Sequence, residues 1–321
     1  GYELIGIEEK REINSIFSKG NGVLFRHGFE NIRNNSNKVI EFEKNFAKKM
    51  GSNYALAVTS GTAALRVALA SLGIKNGDEV ITQSFTFVAT IESIVESGAK
   101  PICTEIDKTL NMDPNDLLLK ITKKTKAVIV VHMLGVPARL EEIKKICKKR
   151  KVFLIEDTAW GCGGLYKNQR LGTYGDIGAF SFDFAKTLTT GEGGMLLFKN
   201  KKIFNKAKAW HDHGHENNPN FPRWLDTRSG SGFNYRMTEL QGAVGIAQLR
   251  KLDKIILSQV KNKEKIMNKI SSINEIEFRE IPKKSCETAD ALIFFVKNKE
   301  TAILCREELL KQGVGTKILP E

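Results

Sequence analysis

No stretch of the 321 residues comes near the ~18–20 uninterrupted apolar positions with which a helix spans a bilayer, so a membrane-embedded chain is not expected. The opening residues, Gly1-Tyr2-Glu3-Leu4-Ile5-Gly6, lack the basic-then-apolar layout of a signal peptide. Cysteine is scarce: Cys103, Cys147, Cys162, Cys286 and Cys305 are scattered, odd in number and form no C-x-x-C pair. That argues against a disulfide framework and for reduced thiols in a cytoplasmic protein. No G-x-G-x-x-G follows any apolar run, which removes the fingerprint of a nucleotide-cofactor oxidoreductase. Arginines interleaved with aromatics, the pattern that stacks bases, are missing too, as are internal repeats and low-complexity segments.

What is present is an ordinary globular composition, 41% hydrophobic and 27% charged, in a length that suits about two domains. Lys and Arg outnumber Asp and Glu by 50 to 37, a formal charge of +13. Such an excess can steer anionic ligands, bind nucleic acid or an acidic membrane, or coat helices. Around Lys144, Lys145, Lys148 and Lys149 the apolar Ile143, Ile146 and Cys147 recur at helical spacing, and the lysines fill the other face. A solvated surface is therefore the preferred reading, with no nucleic-acid and no membrane partner.

From about residue 50 to 200, short apolar runs alternate with amphipathic stretches. Strands are expected at 54–58, 80–83, 102–106, 127–132, 152–156 and 195–198, and helices at 61–72, 87–97, 114–121, 140–149 and 203–210. Strand–helix alternation with continuous apolar strands predicts an α/β fold with a mostly parallel sheet covered on both faces. Ligands then gather at the carboxyl ends of the strands. Residues 211–234, rich in Gly, Asn, Pro and Ser, read as a long functional loop. Residues 238–270 read as one or two Lys-rich helices, and the remainder as the start of a small α+β domain that stops early. The division expected is an arm over 1–30, a large domain over 31–240, and a connecting helix with the beginning of a small domain over 241–321.

Four clusters fall where strands should end. Ser60-Gly61-Thr62-Ala63 opens a helix, whose free N–H groups suit a phosphate, or form a plain N-cap. Glu156-Asp157 ends an apolar strand, as a partner for a protonated ring nitrogen, a metal or an arginine, or as a cap. In the run 180–194, Lys186 sits among apolar, aromatic and hydroxyl residues, whereas other lysines keep to polar faces. A partly desolvated amine loses its proton more readily, as imine formation with a carbonyl requires. Ser181, five residues earlier, can offer a hydroxyl to a phosphate; the bland alternative is a surface lysine beside a hairpin. Gly232-Phe233-Asn234-Tyr235-Arg236-Met237 either caps the following helix or reaches a neighbouring subunit. His211, His213 and His215 alternate, but no other ligand cluster lies near them in sequence, so no metal is expected.

Taken together and in order, Ser60-Gly61-Thr62-Ala63-Ala64-Leu65, Gly77-Asp78-Glu79-Val80-Ile81, Phe85-Thr86-Phe87-Val88-Ala89-Thr90, Ile155-Glu156-Asp157, Gly172-Thr173-Tyr174-Gly175-Asp176, 181–194 and 232–237 give the chain its resemblance. It resembles the DegT/DnrJ/EryC1/StrS sugar aminotransferases, which have the aspartate-aminotransferase-like (type I) fold of pyridoxal-phosphate (PLP) enzymes. The resemblance implies that Lys186 bonds PLP as a Schiff base and shuttles a proton, while Asp157 holds the pyridine nitrogen protonated. It implies that Phe87 stacks on the ring and that Thr62, Ala63 and Ser181 hold the phosphate. Asn234 from a partner subunit joins them, which implies a homodimer with shared active sites. The family usually has Gln or His three residues after the aspartate; here that position is Trp160, which can donate one hydrogen bond but accept none. His211, His213, His215 and Tyr235 fall in the substrate-facing region by the same resemblance.

For the reaction, the resemblance implies amino transfer from L-glutamate to an oxo-sugar. The 182–186 run, the 211–218 segment and residues 316–321 are similar to the subgroup that makes 8-amino-3,8-dideoxy-octulosonate, by aminating the C8 aldehyde of an octulosonic acid for lipopolysaccharide. The alternative acceptor is a nucleotide-linked keto-hexose. A catalytically silent PLP-fold protein, serving in binding or regulation, is the reading from another class.

Overall fold

The computed structural model describes residues 1–218 and 221–319. Its centre is a seven-stranded sheet: β1 (Tyr54–Val58), β2 (Glu79–Gln83), β3 (Lys100–Thr104), β4 (Thr125–Val131), β5 (Phe153–Asp157), β6 (Ile177–Ser181) and β7 (Gly194–Phe198). The spatial order is β1-β7-β6-β5-β4-β2-β3. β7 runs antiparallel to both of its neighbours, and every other pair is parallel. The mostly parallel α/β sheet is thus the expected one.

Two strands differ from expectation for visible reasons. β3 starts at Lys100-Pro101, ahead of the apolar run, because an edge strand tolerates a charge and a missing N–H donor. β6 was not anticipated: Ile177-Gly178-Ala179-Phe180-Ser181 is short, and Gly178, Ala179 and Ser181 are small. Gly178 is required there, since a Cβ would lie 2.1 Å from the Gly172 carbonyl oxygen.

Helices cover both faces. The Gly61–Ser71 helix buries Ala64, Leu65, Ala68 and Leu69 against β1, β6 and β7, and ends at Gly73, whose φ of +75° suits the left-handed stop. On the opposite face the Lys38–Met50 helix sets Val39, Phe42, Phe46 and Met50 at helical spacing onto the sheet and onto the 32-residue Glu239–Ile270 helix. The Ile7–Ser18 helix docks on that long helix through Glu9, which accepts from Gln248 Nε2 at 2.9 Å and pairs with Lys251 at 2.7 Å. The Leu140–Arg150 helix buries Leu140, Ile143 and Cys147 and turns its lysines outward, as its spacing predicts.

Beyond the long helix, Glu277–Phe278 pairs with Phe294–Phe295, and Ser285–Cys286 joins Leu165–Tyr166 of the large unit. The Lys299–Lys311 helix buries no residue. Pro320 and Glu321, the end of the 316–321 segment, lie outside the described residues. Among the described residues, no helix is long and apolar enough to cross a membrane.

The described part of the 211–234 segment is less irregular than its composition suggests. Asp212 bridges Asn234, His215 bridges Arg228, and Arg223–Leu225 forms a short 3-10 turn. Fully buried Asp212 fastens it: Arg223 grips both carboxylate oxygens at 2.6 and 2.8 Å, Arg236 joins them, and His27 Nε2 lies at 3.1 Å. Burial alone would raise this carboxyl, but Arg223 and His27 outweigh it and hold it far below the usual range.

Candidate active site

At the carboxyl end of β5, successive side chains point to opposite faces. Glu156 turns inward and is an anchor. Its Oε1 accepts from the N–H groups of Tyr174 (2.6 Å) and Gly175 (2.7 Å), and its Oε2 from Gly172 (2.9 Å). His132 Nδ1 accepts from the Ala138 N–H at 3.2 Å, so its Nε2 carries the proton that bonds Glu156 Oε2 at 3.1 Å. Burial pushes Glu156 up, but these donors, His132 first, bring the net shift down. Asp157 turns the other way. Its Oδ2 accepts from Thr90 at 2.9 Å and its Oδ1 from the Ala159 N–H at 3.2 Å. Because Thr90 gives its proton to the carboxylate, the 2.9 Å contact between Thr86 and Thr90 has Thr86 as donor. Burial raises the Asp157 carboxyl despite these partners and the nearby Lys186.

Lys186 follows β6 on a tight turn, in which its N–H bonds the Asp183 carbonyl at 3.0 Å and Asp183 Oδ1 accepts from the Ala185 N–H at 3.0 Å. The amine lies 3.5 Å from the centre of the Trp160 ring. Burial lowers its pKa below that of an ordinary lysine, against the opposing pull of Asp157, Asp183 and Asp290. Lys186, Asp157 and Trp160 border one cavity of about 300 Å³, together with Thr62, Phe87 and Ser181.

The far wall of that cavity is the start of the Gly61–Ser71 helix. Ser60 caps it, its Oγ accepting from the Ala63 N–H at 3.0 Å. Gly61 lies against Ser181, so that a Cβ at 61 would fall 2.7 Å from the Ser181 Cβ. Gly194 is equally constrained, with the Ser60 carbonyl 2.3 Å from where its Cβ would be. These close approaches put the Ser181 hydroxyl beside a helix N-terminus, an arrangement suited to an anion. The Ala63 side chain is buried behind the wall, and its N–H serves the cap. Phe87 stands 65% exposed at the rim.

Besides Ala63, five predicted residues are not among those bordering the cavity. Asn234 is exposed, its Oδ1 accepting from the Arg236 N–H at 3.3 Å. Tyr235 stacks on Trp210 at 5.7 Å, and its carbonyl accepts from the Thr59 N–H. His211 is fully buried with Nδ1 2.5 Å from the Lys208 carbonyl, and His215 is buried 3.2 Å from Asp226. His213 is exposed, with a φ of +54°. Thr90 and Thr86 were missed as site residues; their i, i+4 spacing on the Val88–Glu96 helix and the turn before it was the available signal.

The chain has counterparts in sequence and fold. Residues 29–319 match the profile of the DegT/DnrJ/EryC1/StrS aminotransferase family. The GDP-perosamine synthase of Escherichia coli O157:H7 is 40% identical over 226 residues, 70% of this chain and 61% of that protein, so the match spans less than two thirds of the relative's length. The spore coat polysaccharide biosynthesis protein SpsC of Bacillus subtilis is 35% identical over 288 residues, 87% of this chain and 68% of the relative. The solved structure of 3-amino-5-hydroxybenzoic acid synthase superposes with a TM-score of 0.88 at 26% identity, covering 98% of this chain and 80% of that one. An E. coli GDP-4-keto-6-deoxy-D-mannose-3-dehydratase, solved with bound hydrated PLP, gives 0.86 at 26% identity, covering 97% and 82%. With the profile running over residues 29–319 and the fold superposing on solved structures over nearly its whole length, this chain belongs to the DegT/DnrJ/EryC1/StrS aminotransferase family.

Proposed function

We propose that the chain is a PLP-dependent aminotransferase that moves an amino group from L-glutamate to an oxo-sugar, working as a homodimer. One observation carries this: a partly desolvated lysine amine, a buried carboxylate and a hydroxyl-lined helix N-terminus border the same cavity. The residues fit the cofactor in kind. Lys186 would bond its aldehyde, Asp157 its ring nitrogen, and Thr62, Ser181 and the helix end its phosphate, with Phe87 over the ring. When bound, PLP supplies an electron sink for charge on the substrate carbon. Burial favours the uncharged form of the Lys186 amine, so it can attack a carbonyl and afterwards carry a proton to or from that carbon. Asp157, steadied by Thr90 and the Ala159 N–H, would keep a proton on the ring nitrogen. Asn234, exposed and off its own cavity, is proposed to serve the partner's phosphate site. We keep the division at 1–30, 31–240 and 241–321 as part of the same reading.

For the acceptor, the relative named GDP-perosamine synthase supports a nucleotide-linked keto-hexose. The C8 aldehyde of an octulosonic acid is the second reading, suggested by the 182–186 run and the formal charge of +13, which suits an acidic sugar. The test is spectroscopic. Protein mixed with PLP should gain a visible band that Lys186→Ala lacks, and L-glutamate should bleach it. Each oxo-sugar in turn should then restore it, the true acceptor fastest. A folded protein that never takes up PLP overturns the assignment; uptake without any response to amine donors favours the silent, regulatory reading.

A further inference from the structure

The Trp160 indole faces the amine of Lys186, and its backbone is held from outside the sheet. Thr288, fully buried, donates its hydroxyl to the Trp160 carbonyl at 3.1 Å and its N–H to the Gly135 carbonyl at 3.2 Å. Gly135 has a φ of +81°, and a Cβ there would lie 1.9 Å from the Thr288 Oγ1, so this seat admits only glycine. The segment bearing Thr288 is itself stapled at both ends. Lys263 pairs with Glu287 at 2.6 Å, and Gln259 Nε2 donates to Asp290 Oδ1 at 3.4 Å, both from the long helix. A residue 128 positions from Trp160 in sequence therefore fixes the indole whose face meets the amine at 3.5 Å.

We propose that Thr288 is a positioning residue for Lys186, acting through Trp160: its hydroxyl pins the Trp160 backbone so that the indole face cradles the amine. The proposal rests on Lys186 being the reactive lysine. An aromatic face at this distance favours the ammonium form and so opposes the desolvation that favours the free amine. The other charged groups around the amine are Asp157 on β5, Asp183 on its own turn, Glu192 bordering the cavity and Asp290 beyond the long helix. All four are carboxylates and none is altered by the substitutions below. Loosening the indole should therefore move the amine's titration to lower pH.

The measurement is the pH dependence of Lys186 reductive methylation in cofactor-free protein, followed by peptide mass spectrometry, with circular dichroism to verify folding. A second readout is the pH midpoint of the visible band after PLP is added. Thr288→Val should shift the labelling midpoint down by about half a pH unit or more, Trp160→Leu by at least as much, and Thr288→Ser should restore the wild-type curve. If Trp160→Leu leaves the midpoint unchanged, the indole does not act on the amine and the proposal falls. If Trp160→Leu shifts it and folded Thr288→Val does not, Thr288 is no positioning residue. Should Thr288→Val fail to fold, Thr288→Cys, which removes the strong hydroxyl donor at similar size, decides in its place. Wild-type protein that binds no PLP would sink the aminotransferase reading yet leave the labelling result standing, so the two failures are told apart.

Discussion

At the level of single residues, β5 ends in two carboxylates with opposite duties. Asp157 faces the cavity with two donors on it, so Asp157→Asn should keep PLP binding while lowering the single-turnover rate with glutamate about 10²-fold or more, measured by stopped-flow absorbance. Glu156 is a fastener with four donors converging on it. Its folded-state pKa lies below the ordinary 4.5, so its contribution to stability is complete above that pH and drains away as pH falls through the folded value. Glu156→Gln turns one amide N–H toward a donor and should cost about 1.5–3 kcal/mol in urea unfolding at neutral pH, with a flatter stability profile on acidification. Lys186 and Asp157 stood out in the sequence chiefly through the family resemblance, since each pattern alone also fitted a surface lysine or a cap; the structure brings both to one cavity. Thr90 was not, because its bond to Asp157 joins residues 67 apart and only the folded sheet brings the Val88–Glu96 helix over β5.

Among elements, the closest packing depends on absent methyl groups. The Lys38–Met50 and Glu239–Ile270 helices meet where a Cβ on Gly242 would lie 2.7 Å from the Val39 nitrogen, and one on Gly245 2.5 Å from the Phe42 ring. Gly242→Ala gains up to about 1 kcal/mol of helix propensity but meets backbone that cannot yield. The net result expected in thermal unfolding is a loss of about 1–3 kcal/mol. Gly61→Ala would instead push the helix N-terminus away from Ser181, so weaker PLP uptake with a small stability change is expected, read by fluorescence titration. Periodicity had found most strands and helices, because buried parallel strands and amphipathic helices leave plain patterns. β6 escaped since its identity lies in small residues chosen for close approach rather than in alternation. The pieces beyond residue 270 are legible only as fragments, for their strands are two residues long, and Ser285–Cys286 pairs with the distant Leu165–Tyr166.

Across the whole molecule, the cavity gathers six of the predicted residues and leaves Asn234 outside. Phe87, Val88 and Phe184 stand more than half exposed, apolar surface of the kind that a second copy covers. If Asn234 serves the partner, Lys186→Ala and Asn234→Ala proteins should each be inactive alone and regain activity when unfolded together and refolded as a mixture. Activity that stays absent in verified mixed dimers would show that no site is shared.

The fastening of Asp212 has a practical consequence. Because His27 from the early chain and Arg223 and Arg236 from the later segment share one carboxylate, the described residues of 211–236 and the stretch around 25–27 are tied together at Asp212. Anyone grafting the corresponding segment from a relative to redirect acceptor choice would have to transplant both pieces. A lone graft would carry Asp212 with Arg223 and Arg236 but leave the contact to His27 at 3.1 Å to a side chain it was not matched with.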